Sequence, residues 1–183
     1  GRSVSSKCGS ADVLEALGVN VNLNHKNLGD LVDAIGIGFM FAPNYHPAMK
    51  FVAPVRKELE VRTIFNLLGP LTNPASAKKQ IIGVYSKELT LTFAKVLKEL
   101  GSDHVLVVHG EDGMDEISIT GNTYVAELKN NTISEYIINP EMFDLEKGTL
   151  ESIVVKDSFQ SKNMILDILK GKSKTGRDII LLN

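Results

Sequence analysis

The chain has 183 residues, 43% of them hydrophobic and 23% charged, with a formal net charge of −2. That is long enough for one sizeable core, and the near-neutral balance argues against a broad nucleic-acid or membrane-surface footprint. No apolar run approaches the roughly 20 residues a membrane-spanning helix needs. No charged-then-apolar segment opens the chain, and the single cysteine, Cys8, has no partner for an internal disulfide, which fits a reducing cytoplasm.

In chain order, Ser10 reads as the N-cap of a helix running to Leu17, with Gly18 as its stop. Asn27 to Gly36 repeats that pattern of cap, apolar stripe and glycine. The short apolar run Ile37 to Ala42 predicts a buried strand. Pro47 to Leu59 reads as a helix kinked at Pro54, and Arg62 to Leu68 as a short helix ended by Gly69-Pro70. Gln80 to Tyr85 and His104 to His109 are β-branched runs of strand length. Leu89, Phe93, Val96, Leu97 and Leu100 between them share one helical face, which defines a βαβ unit and a parallel pair. From Ile117 to Ile138 the period becomes two, with breaks at Gly121-Asn122 and Asn130-Asn131, as in an antiparallel meander. Helical spacing returns over Ser158 to Leu169, and the apolar run from Ile179 to Leu182 predicts a further helix.

Three stretches carry candidate chemistry. The opening loop offers Ser3, Ser5, Ser6, Lys7, Gly9 and Ser10 ahead of a helix start, where free N–H groups and the helix dipole favour anions. Such Ser/Gly loops also serve as plain solvated caps. The segment Tyr45 to Pro74 holds His46, Arg56 and Arg62. Arg56 follows Pro54 by two residues, where a kink re-aims a side chain, and a guanidinium grips a carboxylate through two parallel bonds. A solvent-facing arginine with a packed stem is the plainer alternative. The third stretch is DGMDEIS, with Asp115-Glu116 just past the strand ending at His109. Ligands of open α/β sheets gather beyond the carboxyl ends of parallel strands. Adjacent carboxylates there suit Mg²⁺, which takes one or two of them together with substrate phosphates. Glu111 and Asp112 add negative potential, and a solvated acidic turn is the competing reading. Zinc spacing, a Walker loop and a dinucleotide fingerprint are lacking, and Cys8 has no histidine partner in its segment.

The three stretches GRSVSSKCGSADVLEALG, HPAMKFVAPVRKELEVRTIFNLLGPLTNP and DGMDEIS, in this order, resemble the anthranilate phosphoribosyltransferases of tryptophan biosynthesis. The likeness extends over nearly the whole chain, to GRDIILLN. A weaker likeness is to the pyrimidine nucleoside phosphorylases, which share the fold but lack the HPAMK…GPLTNP wording.

The resemblance implies an α/β fold: a mainly parallel central sheet flanked by helices with an antiparallel meander extension, like the C-terminal domain of nucleoside phosphorylases and phosphoribosyltransferases. Residues 1–183 would form a single catalytic domain cut at both ends. The family's upstream glycine-rich phosphate loop and small helical dimerisation domain are not in this sequence. It further implies that Arg2, Ser3, Val4, Ser5, Ser6 and Ser10 surround phosphoribosyl diphosphate. Arg56 would hold anthranilate with His46 nearby, and Asp115 and Glu116 would bind Mg²⁺. Gly1 stands where the family has an asparagine that touches anthranilate. The implied reaction transfers the phosphoribosyl group to anthranilate and releases diphosphate, with no general base assigned. The implied protein is a cytoplasmic homodimer that binds neither nucleic acid nor membrane, and the fragment by itself is expected to be inactive. Two alternatives stay open at this point: a nucleoside phosphorylase-like transferase, and a non-catalytic nucleic-acid-binding relative.

Overall fold

The structure, a computed structural model, describes residues 9–46 and 65–183. The predicted helix over Pro47 to Leu59, and most of the one over Arg62 to Leu68, lie outside the described residues. The described residues fall into two compact units, dividing at 63/64, 154/155 and 167/168.

In the first unit, α1 spans Ser10–Ala16, and Gly9 rather than Ser10 is its N-cap. The reason is Asp12. Its carboxylate, at the third helical position, accepts the Gly9 N–H at 2.9 Å and so draws the helix start one residue earlier. Likewise α2 (His25–Ile35) is capped by Asn24, whose side chain accepts from Asn27 N–H at 2.8 Å; Asn27 receives the cap rather than providing it. Gly36 closes this helix in the left-handed region.

The expected strand over Ile37 to Ala42 is not one. The backbone there is irregular and leads into the four-residue helix α3 (Ala42–Tyr45). Ile37 is 70% exposed, whereas Phe41 is buried with Ala11 and Val21, and Phe39 and Leu14 pack around them. The apolar run therefore anchors through its two phenylalanines instead of lying buried along its length.

In the second unit, α4 (Phe65–Leu71) runs through Gly69-Pro70 instead of ending there. A proline in the last turn forfeits one backbone bond, and Gly69 lacks the Cβ that the proline ring would strike. The βαβ unit is present: β1 (Lys79–Gly83), α5 (Glu88–Glu99) and β2 (His104–Gly110), with β1 and β2 parallel in the register Gly83↔Val108. The buried face of α5 is Thr90, Phe93, Ala94 and Leu97; Val96 and Leu100, placed on that face by spacing alone, are exposed. Phe93, Ala94 and Leu97 pack on Ile82, Val84, Val105, Val107, Ala126 and Leu128, which together form the main core.

The sheet is mixed, in the order β1-β2-β3-β4, with one parallel and two antiparallel ladders. β3 (Thr123–Lys129) and β4 (Thr132–Ile138) are joined by Asn130-Asn131 at φ 49° and 60°, values suited to a type I′ hairpin turn. The meander thus uses β2 as its first strand, and Ile117 to Gly121, expected as that strand, is a loop. Two short 3₁₀ turns, Pro140–Phe143 and Leu150–Ser152, precede α6 (Ser158–Leu169), most of which belongs to the first unit, and α7 (Lys174–Leu182), both on segments the sequence marks as helical. On the sheet face opposite α5, Val108, Val125 and Ile117 form a second core with Leu106, Ile138 and Leu182 around it. No helix among the described residues is long and apolar enough to cross a membrane.

Candidate active site

The loop leaving the carboxyl end of β2, Glu111 to Asn122, is built around one carboxylate. Asp112 Oδ2 accepts from Ser118 Oγ and from Thr120 Oγ1, each at 2.6 Å, and its Oδ1 accepts from Met114 N–H at 3.1 Å. Ser118 Oγ in turn accepts Thr120 N–H, and Thr123 Oγ1 accepts Ser118 N–H, both at 2.9 Å. Gly110 N–H closes onto the Met114 carbonyl at 2.8 Å. From the far side, the Asn183 amide clasps Ile117, accepting its N–H at 2.8 Å and donating to its carbonyl at 2.9 Å. The stretch between Asp112 and Thr120 is therefore fixed by hydrogen bonds to side chains and not by a ladder.

Two close approaches seat this loop. A Cβ on Gly83, at the end of β1, would stand 1.4 Å from the Asp115 carbonyl oxygen. A Cβ on Gly110 would stand 2.5 Å from Asp112 Oδ1. Neither contact tolerates a side chain, so both glycines are set by the loop lying against the strand ends.

The outcome is an exposed acidic pair, Asp115 and Glu116, at the carboxyl end of the parallel strands. Loss of hydration, reinforced by the charge on Asp115, pushes the Glu116 carboxyl above its ordinary range. A carboxyl whose ionisation is made costly by a neighbouring negative charge gains from a bound cation. Among the described residues no group of three or more His, Cys, Asp or Glu side chains is arranged to enclose a metal. Two adjacent carboxylates suit Mg²⁺, which keeps waters and takes phosphate oxygens beside one or two protein ligands.

Asp112 differs from its neighbours. Sequence alone assigns it no more than added negative potential, yet its charge is absorbed within the loop. Burial raises its pKa, but the bonds from Ser118, Thr120 and Met114 outweigh that and hold it below the ordinary value. A depressed folded-state pKa contributes stability above the unfolded value of about 3.8 and loses it as pH falls through the folded pKa. Asp112→Asn should therefore cost about 1–2 kcal/mol at neutral pH, at the low end for bonds to a charged group on a half-exposed loop. The gap to wild type in urea unfolding should narrow as the pH is lowered to about 3. A gap independent of pH would show that the carboxylate charge does not organise the loop.

Of the residues singled out in the sequence, Asp115 and Glu116, adjacent in the chain, lie on the loop past the end of β2. Ser10 and His46 lie in the first unit. Ser10 is the first residue of α1, and His46 is the C-cap of α3, half-buried, with its N–H on the Ala42 carbonyl at 2.9 Å. Tyr45 beside it donates to the Leu23 carbonyl at 3.3 Å, and its ring meets His25 edge-on at 4.5 Å, so the segment before His46 is tied to the start of α2. Arg2, Ser3, Val4, Ser5, Ser6 and Arg56 lie outside the described residues. Gly83, Gly110, Ser118, Thr120 and Asn183 help build the loop of the candidate site and are missed by sequence reasoning, which also misses that Asp112 organises it. The spacing of Asp112 from Ser118 and Thr120, an acid followed at six and eight residues by hydroxyls, is the signal that exposes the role of Asp112.

The parallel strand pair thus ends in a glycine-seated acidic loop, and comparison with known proteins identifies the family. A model of the glycosyl transferase family, a/b domain, matches residues 1–183, and the chain belongs to that family. Among curated proteins it is similar to the anthranilate phosphoribosyltransferases of Methylobacillus flagellatus, at 56% identity over 183 residues, and of Thiobacillus denitrificans, at 55%. Both alignments cover all of this chain and 54% and 53% of the relatives, so the chain spans about half the length of the curated relatives it matches. Among solved structures, the anthranilate phosphoribosyltransferase of Thermus thermophilus matches with a TM-score of 0.89 at 42% identity, covering 98% of this chain and 53% of that one. The Saccharomyces cerevisiae enzyme in complex with PRPP and Mg matches with a TM-score of 0.86 at 31% identity, covering 96% and 51%. The same yeast enzyme was also solved with 4-fluoroanthranilate.

Proposed function

We propose that the whole protein transfers the phosphoribosyl group of phosphoribosyl diphosphate to the amine of anthranilate, releasing diphosphate, as a step of tryptophan biosynthesis. The observation that carries this reading is the Asp112-organised loop that presents Asp115 and Glu116 beyond a parallel strand pair, in a chain 56% identical to an anthranilate phosphoribosyltransferase. The yeast relative's complexes with PRPP and Mg and with 4-fluoroanthranilate support the choice of ligands.

In this reading Asp115 and Glu116 hold Mg²⁺, which offsets the negative charge gathering on the departing diphosphate. Arg2, Ser3, Val4, Ser5, Ser6 and Ser10 surround the phosphoribosyl diphosphate. Arg56 grips the anthranilate carboxylate, and His46 lines the same pocket. The aryl amine is neutral at pH 7 and needs no strong base to attack the sugar C1, so holding the two substrates in line supplies much of the acceleration. The reading also takes the protein to be a cytoplasmic homodimer, with the dimer contact outside these residues.

Arg56 gives the sharpest test of the acceptor. In the whole protein, Arg56→Ala should lower kcat/KM for anthranilate by about ten- to a hundredfold, the value of a lost charge-assisted bond. The KM for phosphoribosyl diphosphate should change by less than about threefold, because binding of the second substrate does not run through that bond. Unchanged kinetics toward anthranilate would remove Arg56 from the site.

A further inference from the structure

The parallel ladder ends with Gly83 opposite Val108, where Val84 N–H donates to the Val108 carbonyl at 3.0 Å. Bonds along a parallel pair recur every second residue, so the next one would run from Gly110 N–H to the Val84 carbonyl. Gly110 N–H turns away instead, to the Met114 carbonyl, and thereby closes the loop that carries Asp115. Val84 is 4% exposed, and a buried carbonyl without a donor is costly. His109 fills the gap: its Nδ1 lies 2.8 Å from the Val84 carbonyl oxygen. A carbonyl only accepts, so the proton of this bond sits on Nδ1.

We propose that His109 is a positioning residue for the Asp115–Glu116 loop, its Nδ1–H replacing the ladder bond that Gly110 gives up when the loop leaves the sheet. The proposal rests on the reading of that loop as the Mg²⁺ and diphosphate site. Alternation along β2 puts His109 on the face of Val105 and Val107, which α5 covers, whereas Ile117 packs on the opposite face with Val108. His109 thus acts on the loop through the backbone of Gly110 and β1. Tyr124, directly opposite His109 on β3, carries the Lys87 ammonium 4.0 Å from its ring centroid, which packs the strand end around the imidazole. Without the imidazole bond, Val84 and Gly110 compete for stabilisation: either the Val84 carbonyl is stranded, or Gly110 returns to the ladder and the loop opens.

The test uses the whole protein with two substitutions. His109→Phe keeps a ring and removes the donor; His109→Asn keeps a nitrogen donor close to the Nδ1 position. In His109→Phe, amide hydrogen exchange at Gly110 and Gly113 should rise about tenfold, while that at Val96 and Leu97 in α5 stays at the wild-type rate. The Mg²⁺ concentration for half-maximal turnover should rise about five- to tenfold with a smaller change in kcat, the pattern of weakened binding rather than lost chemistry. His109→Asn should restore both to within about threefold of wild type, since it returns the donor. Faster exchange at Gly110 and Gly113 with an unchanged Mg²⁺ requirement would keep the clip and overturn the metal reading of the loop. Unchanged exchange there, or a rise spread evenly over α5 and the sheet, would overturn the positioning role. Should His109→Phe fail to fold, His109→Gln, whose amide stands where Nε2 does, gives the same contrast against His109→Asn.

Discussion

Asp115→Asn combined with Glu116→Gln in the whole protein should lower turnover by about a hundredfold or more, the scale of losing the groups that stabilise a departing anion. The fold should survive. Both side chains are exposed, and the loop's own hydrogen bonds run through Asp112, Ser118, Thr120 and Asn183. The direction of the Glu116 shift adds a second expectation. Its carboxyl is raised in the folded state, so ionising it costs stability as pH rises through that raised value. The doubly neutral protein should therefore equal or exceed wild type in thermal stability at pH 7 in the absence of divalent cations. Added Mg²⁺ with diphosphate should raise the wild-type Tm and leave that of the variant unmoved. Normal turnover in the double variant would reduce the pair to a solvated turn.

Gly83→Ala should be nearly as damaging, although Gly83 bears no functional group. Its Cβ would fall 1.4 Å from the Asp115 carbonyl oxygen, with the Asp115 backbone having no room to yield while Asp112 and Asn183 hold the loop on both sides. Either the loop shifts by an ångström or more, or the end of β1 does. The expected cost is about 3 kcal/mol, the upper part of the range for overpacking. Turnover should fall by about a hundredfold, as a displaced reacting group implies. Gly29→Ala is the matched control. Gly29 lies inside α2 with nothing within 4 Å of where a Cβ would stand, so the change should be neutral or stabilise by up to about 1 kcal/mol. Equal behaviour of the two variants in urea unfolding and in turnover would mean that the strand-end contact does not seat the loop.

The parts of this fold that can be read in advance are those where one local signal dominates. The βαβ unit announces itself through two β-branched runs and a helical stripe between them, and Asn130-Asn131 supplies the positive φ values of its turn. Where a local pattern has two physical solutions, the sequence favours the wrong one. Ile37 to Ala42 has the composition of a strand, but only Phe41 in it is fully buried, against α1, with Phe39 packed beside it. Ile117 to Gly121 alternates like a strand, but its alternation serves a hydroxyl pair directed at Asp112 and an isoleucine directed at the second core. Caps fall a short distance from their expected places because several cap-forming residues cluster, and the tie-breakers are Asp12 and Asn24. The acidic pair of the candidate site can be picked out in the sequence because the chemistry proposed for it would be carried by its own side chains. Gly83, His109 and Asn183 cannot, since their importance comes from backbone groups distant in sequence that only the fold brings near.

The most direct test of the whole account is diphosphate release by the purified whole protein, measured with phosphoribosyl diphosphate present and anthranilate and Mg²⁺ each supplied or withheld. Release that requires both, with anthranilate consumed in equal amount, is the predicted result. Release supported by a nucleobase in place of anthranilate, or undiminished when Mg²⁺ is withheld, would contradict it.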